Sequence, residues 1–196
     1  VAGTGLVVPE DSVLVAGQFD QVCEEGPPDC EGYRNVTISS GEPDAIELRA
    51  GGTVDAFLAE LTRDGGLTRA AHFGGPGAVT ALALTARDGV AYLGGAYTGP
   101  VAALPGDTRA ADGADGYVSS ITIGESFETA SLVATFGGPD VDPDGDPDAP
   151  DAIDVSESGA IVLGGRIGSL TSFGPAMSVD AEPGSAFIAS YDAAHA

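Results

Sequence analysis

The residues best equipped for chemistry in this chain are acids. From Asp140 it reads Asp-Val-Asp-Pro-Asp-Gly-Asp-Pro-Asp as far as Asp148, with Asp151 and Asp154 following. Alternate carboxylates with a glycine after the third match the opening of a calcium loop, because hard Ca²⁺ takes about six to eight oxygens and glycine permits the tight turn. The expected ligands are Asp140, Asp142, Asp144, Asp146 and Asp151, the last at the twelfth position, where a helix-flanked calcium loop carries Glu. Left without a cation, so many carboxylates repel one another. The competing reading is a solvated acidic linker, which the interspersed prolines and the lack of flanking helices favour.

Cys23 and Cys30 bracket the loop Cys-Glu-Glu-Gly-Pro-Pro-Asp-Cys and are the only two cysteines. A disulfide closing this short turn is expected, which places the protein outside the cytoplasm. The alternative is a metal site, for which no third cysteine exists and for which His72 and His195 stand far off in the chain. Glu24 and Glu25 are neighbours of the kind that are ordinarily just solvated rather than a glycosidase pair. No Gly-x-Ser-x-Gly, His-Glu-x-x-His or Gly-x-x-x-x-Gly-Lys-Ser/Thr motif occurs, and two histidines leave few bases. The glycine-rich Val-Ala-Gly-Thr-Gly and Gly-Gly-Pro-Gly segments precede no helix that could cradle phosphate. Asn35-Val36-Thr37 is a sequon that matters only in a glycosylating host.

The elements that must position these residues are strands. Gly and Pro number 30 and 13 among 196 residues, and no capped stripe of 3.6-residue period survives between them. A β-rich run ending in glycine occurs three times, at 13–19, 90–97 and 160–167, each followed after a loop by a second run, at 54–61, 114–121 and 184–191. Two copies add a strand that closes on Phe-Gly-Gly, at Phe73–Gly75 and Phe136–Gly138. A further strand opens each repeat, with alternating apolar residues at Leu6 and Val8, Leu82 and Leu84, and Ile153 and Val155. Phe57, Tyr117 and Phe187 thus recur at intervals of 60 and 70 residues, the size of a four-stranded propeller blade with long loops. The expected organisation is repeat 1 at 1–75, repeat 2 at 76–138 and repeat 3 at 139–196, the last lacking its fourth strand. Aromatics at repeat positions, including Phe19, Tyr97, Phe73 and Phe136, are expected to be framework packed between sheets.

The Gly-ended strand, the run Gly-x-x-Asp-Ala-Phe-Leu-Ala-Glu-Leu from Gly52 to Leu61, and Phe-Gly-Gly at Phe73–Gly75 together resemble the bacterial SBBP-type β-propeller repeat. The resemblance covers essentially the whole chain and is weakest in the third copy, where Ser185 and Ala186 replace Asp-Ala. Strand four lacks the family's Trp, and Glu60 and Ser120 stand where the family carries Lys. Such membership implies a secreted or surface β-propeller and carries over no catalytic residue.

Composition narrows the partners. Thirty acids against seven bases, all of them Arg, give a net charge of −23, which repels phosphate backbones and anionic lipid. Nucleic-acid and membrane-surface partners are therefore not expected, while divalent cations or basic partners fit. No apolar run approaches the roughly 18 residues of a membrane span. The chain starts at Val1, inside repeat 1, so a removed signal peptide or a fragment is expected.

The repeats differ where function could be grafted. Between the second and third strands repeat 1 holds 18 residues more than its counterparts, including the cysteine pair, and repeat 3 has eight more after its preceding Phe-Gly-Gly. In a four-stranded meander both connections emerge at the same end. The expected molecule is an all-β chain of about three four-stranded antiparallel β-propeller blades, an incomplete ring with apolar faces exposed at both flanks. Its expected role is a noncatalytic interaction or structural module, secreted or at the cell surface. Calcium is the one cofactor anticipated, and a protein partner, a second copy or further repeats would complete the ring. A carbohydrate-binding lectin is the alternative, and a hydrolase built on the loops fits least.

Overall fold

The computed structural model describes residues 2–7, 12–20, 35–38, 45–99, 102–104, 106–111, 113–124, 127, 129–138, 148–168, 170–173, 177–182 and 184–192. All regular structure among them is β, in antiparallel pairs.

In chain order the first repeat contributes β1 (Ala2–Val7), β2 (Ser12–Asp20), a ribbon of β3 (Asn35–Ile38) and β4 (Ile46–Arg49), then β5 (Val54–Thr62) and β6 (Leu67–Phe73). The second adds β7 (Ala78–Val79), β8 (Ala83–Arg87), β9 (Val90–Thr98), a ribbon of β10 (Ala102–Leu104) and β11 (Asp107–Arg109), β12 (Ala114–Thr122) and β13 (Ala130–Phe136). The third adds β14 (Ala149–Val155), β15 (Ile161–Ile167), a ribbon of β16 (Leu170–Ser172) and β17 (Ser178–Asp180), and β18 (Ser185–Tyr191). Sheet 1 runs β1-β2-β5-β6. Sheet 2 runs β13-β12-β9, with β7 and β8 both along the far edge of β9, and sheet 3 runs β14-β15-β18. Within each sheet the main strands pair in chain order, and a two-stranded ribbon is inserted after β2, β9 and β15.

Local chemistry explains the turns and the glycines. Asp88 and Gly89 both take positive φ, at 51° and 77°, and join β8 to β9 as the two-residue turn that matches strand twist. The glycine closing the second strand is demanded by a chain crossing over it. A Cβ on Gly95 would lie 1.8 Å from the Thr80 carbonyl oxygen, and one on Gly165 would lie 2.1 Å from that of Ala149.

The alternating residues of each sheet define two faces. Leu14, Ala16, Ala56 and Leu58 of sheet 1 form one cluster with Ala91, Leu93, Tyr97, Tyr117 and Ile121 of sheet 2. The opposite face of sheet 2, with Val118 and Phe136, packs on Val155, Ile161 and Leu163 of sheet 3, joined by Phe187. Thr4 Oγ1 donates to the Ala81 carbonyl at 2.5 Å, and Arg87 Nη1 donates to the Val155 carbonyl at 3.0 Å, so the first strands of successive sheets are also tied. The framework reading of Phe19, Tyr97, Phe57, Tyr117 and Phe136 holds: all five are buried.

Exposure of both flanks does not hold. The outer face of sheet 1, with Phe19, Phe57, Ala59 and Leu67, is covered by Leu48 and Ala50, with Ile38 and Ile46 beside them. Part of the extra chain in repeat 1 therefore folds down as the β3–β4 ribbon and covers the face of sheet 1 turned away from sheet 2. A loop was expected there because the alternation in Asn-Val-Thr-Ile and Ile-Glu-Leu-Arg is only four residues long in each arm. The corresponding ribbons of the other repeats lie at the sheet junctions: Leu104 joins the cluster between sheets 1 and 2, and Phe173 packs against the one between sheets 2 and 3.

Candidate functional site

Among the described residues four carboxylates are buried, Asp55, Asp115, Asp148 and Glu60, the last paired with Arg69 on the neighbouring strand. Asp55 opens the Asp-Ala-Phe run of β5, and its Oδ2 accepts a 2.7 Å hydrogen bond from the Gly51 amide. It sits against the Phe-Gly-Gly turn: a Cβ on Gly74 would come within 2.0 Å of Asp55 Oδ1. Burial pushes its carboxyl above the ordinary 3.8, opposed by the amides of Gly51, Gly52 and Gly75 and by the charge of His72. Asp115 repeats the placement in sheet 2, where a Cβ on Gly137 would lie 2.0 Å from its Oδ1. The first glycine of each Phe-Gly-Gly is therefore required by a carboxylate tucked under the turn. Ser185 takes this position in sheet 3, where no Phe-Gly-Gly follows in the sequence.

Asp148 closes the acidic run, and its chemistry is structural. Its Oδ1 accepts from the Gly168 amide at 2.8 Å and from Thr171 Oγ1 at 2.6 Å. Its own amide donates to the Ala114 carbonyl at 3.1 Å. One residue thereby fastens the β14 entry, the β16 ribbon and the start of β12. Sequence reasoning placed Asp148 in the insertion; the signal for its true role is its place directly before the apolar Ala149 and Pro150, which are buried with it.

Among the other expected site residues, Asp151 is exposed on β14 and forms a two-pronged pair with Arg166 on β15, at 3.1 Å to Nε and 3.3 Å to Nη2. Asp140, Asp142, Asp144 and Asp146 lie outside the described residues, as do Cys23 and Cys30. Among the described residues, no group of three His, Cys, Asp or Glu side chains is placed to hold a metal ion. Nor is any helix there long and apolar enough to cross a membrane.

A polar cleft beside Asp115 lies between sheet 2 and the β16–β17 ribbon. It encloses about 300 Å³ and is lined by Tyr97, Asp115, Thr135, Phe136, Gly137, Gly138 and Ser172. That volume is at the lower end for small-molecule sites. Tyr97 and Phe136 are 3% and 2% exposed, so little of either ring is accessible for stacking. Tyr117 behind them donates its phenol to the Thr80 carbonyl at 3.0 Å, and burial raises its pKa well beyond the ordinary tyrosine range. The arrangement can accept a hydrogen bond or hold a small cation; it pairs no acid with a nucleophile and a base as acyl or glycosyl transfer would need.

No protein-family model matches the chain, and none of the curated proteins compared with it does.

Proposed function

We propose that the chain is a three-blade stretch of β-propeller, of the SBBP-like repeat type its motifs resemble, acting as a noncatalytic module for protein interaction or structural assembly. The reading is supported by three antiparallel sheets packed face to face and tied by hydrogen bonds from Thr4 to Ala81 and from Arg87 to Val155, since blades stack in that way. The observation that carries the noncatalytic reading is the use made of two of the buried acids. Asp55 and Asp148 are committed to backbone amides and a threonine hydroxyl that hold turns together. Secretion or surface display rests on the Cys23 and Cys30 pair and on the resemblance.

The lectin reading draws on the cleft beside Asp115, where a carboxylate and the Thr135 and Ser172 hydroxyls could meet sugar hydroxyls. Little of its rings is accessible for stacking, which favours the interaction module. A panel of glycosides, esters and peptides together with a glycan array tests both. The expected result is neither turnover nor glycan retention. Turnover abolished by Asp115→Asn in a variant that keeps its fold would overturn the noncatalytic reading, and glycan binding lost in the same variant would install the lectin.

Calcium belongs to this proposal in a narrowed form. Asp148 already holds Gly168 and Thr171, and Asp151 already pairs Arg166, so a cation on the acidic run would depend on Asp140, Asp142, Asp144 and Asp146. Ca²⁺ at millimolar concentration should raise the melting temperature of the chain and leave that of the quadruple Asp→Asn variant unchanged. Absence of calorimetric binding would remove calcium from the account.

A further inference from the structure

We propose that Asn35 is the attachment point of an N-linked oligosaccharide, carried on the outer face of the β3–β4 ribbon. The inference rests on the secreted or surface reading and names a covalent modification that export makes available.

The chain has a single asparagine, and it opens the triplet Asn35-Val36-Thr37. Such a triplet, with any residue but proline in the middle, is the acceptor for sugar transfer in exported proteins. The insertion that holds it also holds Cys23 and Cys30, on which the export reading rests.

The fold adds the placement. The whole triplet falls within β3, in an antiparallel ribbon that sets Asn35 opposite Arg49, Val36 opposite Leu48, Thr37 opposite Glu47 and Ile38 opposite Ile46. Directly opposed residues of such a pair share a face, and successive residues alternate between faces. Packing settles which face is which. Leu48 is 4% exposed and, with Ile38 and Ile46 beside it, packs against Phe19 and Phe57 of sheet 1. Thr37, Glu47 and Arg49 belong to the other face and are exposed. Position 35 falls by register on this second face, so the two residues of the triplet that a transferase reads stand together on the solvent side.

The parity decides whether the ribbon tolerates a sugar. An acceptor displaced by one residue would fall on the face that covers Phe19 and Phe57, where a bulky polar group would lift the ribbon away. At position 35 the same ribbon closes with the sugar outside. The sugar then shields the side of the stack turned away from sheet 2, and a partner engages the molecule elsewhere.

The donor is an oligosaccharide held on a lipid through a diphosphate. The carboxamide nitrogen of Asn35 forms a bond to the anomeric carbon of the first sugar and gives up one proton to a base of the transferase. The bond from that carbon to the phosphate oxygen breaks, and its electron pair leaves with the lipid diphosphate. Transfer accompanies export, before the four-residue arm of β3 pairs with β4.

The test is glycopeptide mass spectrometry on the chain recovered from the exported fraction of the cells that make it, with fragmentation to locate any added mass. The expected result is a sugar on tryptic peptide 35–49, fixed to Asn35, absent from Asn35→Gln and Thr37→Ala and retained in Thr37→Ser. Binding of a hydrophobic dye should be the same for the glycosylated chain and for Asn35→Gln, because the sugar leaves the ribbon seated. An exported chain with bare Asn35 would overturn the proposal and leave the export reading standing, whereas a chain found only in the cytoplasm would overturn both. A sugar that survives Asn35→Gln would move the site to another residue and overturn the assignment. Higher dye binding by the glycosylated chain would overturn the outward placement.

Discussion

The outward faces of the first and third sheets are built from the same repeat and end differently. On sheet 1, Phe19 and Phe57 lie under Leu48 and Ala50 of a ribbon that the chain inserts between its second and third strands. On sheet 3, Val162 and Ile188 stand 38% and 86% exposed with nothing described above them. A repeated sheet buries its faces on its neighbours. Among the described residues, the outward face of sheet 1 is covered by local sequence and that of sheet 3 is not.

The largest effect expected from this difference is at equivalent buried and exposed positions. Leu58→Ala removes a fully buried side chain between sheets 1 and 2 and should cost about 2–5 kcal/mol in denaturant unfolding. Ile188→Ala, at the matching position, should stay within about 0.5 kcal/mol. Comparable losses at the two sites would mean that the third face is covered after all. The ribbon should behave as core in turn. Leu48→Ala should cost about 2 kcal/mol and increase binding of a hydrophobic dye, whereas Ile188→Ser should decrease it. Dye binding unchanged by Leu48→Ala would indicate that the ribbon does not seal the face.

Much of this was legible in sequence. Phe57, Tyr117 and Phe187 mark the third strands because a residue wedged between sheets must be large and apolar in every copy. Gly95 and Gly165 mark the second strands because a crossing carbonyl leaves no room for a Cβ. The ribbons were not legible, since arms of three or four residues fall below the length at which alternation stands out. Asp148 was misjudged for a different reason. It continues a run of identical residues, and composition cannot reveal that one member of the run folds inward to hold Gly168 and Thr171. The cover on sheet 1 was missed for both reasons together, because the extra residues also carry the cysteines and read as a loop.

A smaller effect separates the sheets by their acids, since sheet 3 has Ser185 where sheet 1 has Asp55. Burial raises the Asp55 pKa in the folded state, so its contribution to stability is fully present below 3.8 and is lost as pH climbs through the raised value. The stability of the parent chain relative to Asp55→Asn should therefore be greatest in acid, fall with rising pH and then level off. A difference that instead grows with pH would contradict the desolvated placement of this carboxyl. The smallest effect belongs to the Arg166 and Asp151 pair, which is exposed on sheet 3. Arg166→Gln should cost no more than about 1 kcal/mol, and less in high salt.

The central claim, that sheet 1 is closed where sheet 3, among the described residues, is open both on its outer face and at the edge of β18, is tested most directly by residue-resolved amide hydrogen exchange on dilute chain. Paired on both edges, β5 should show slow exchange at every amide from Ala56 to Glu60. Paired on one edge, β18 should alternate between slow amides directed at β15 and fast ones directed away from it. Uniform protection along β18, equal to that of β5, would contradict the open edge.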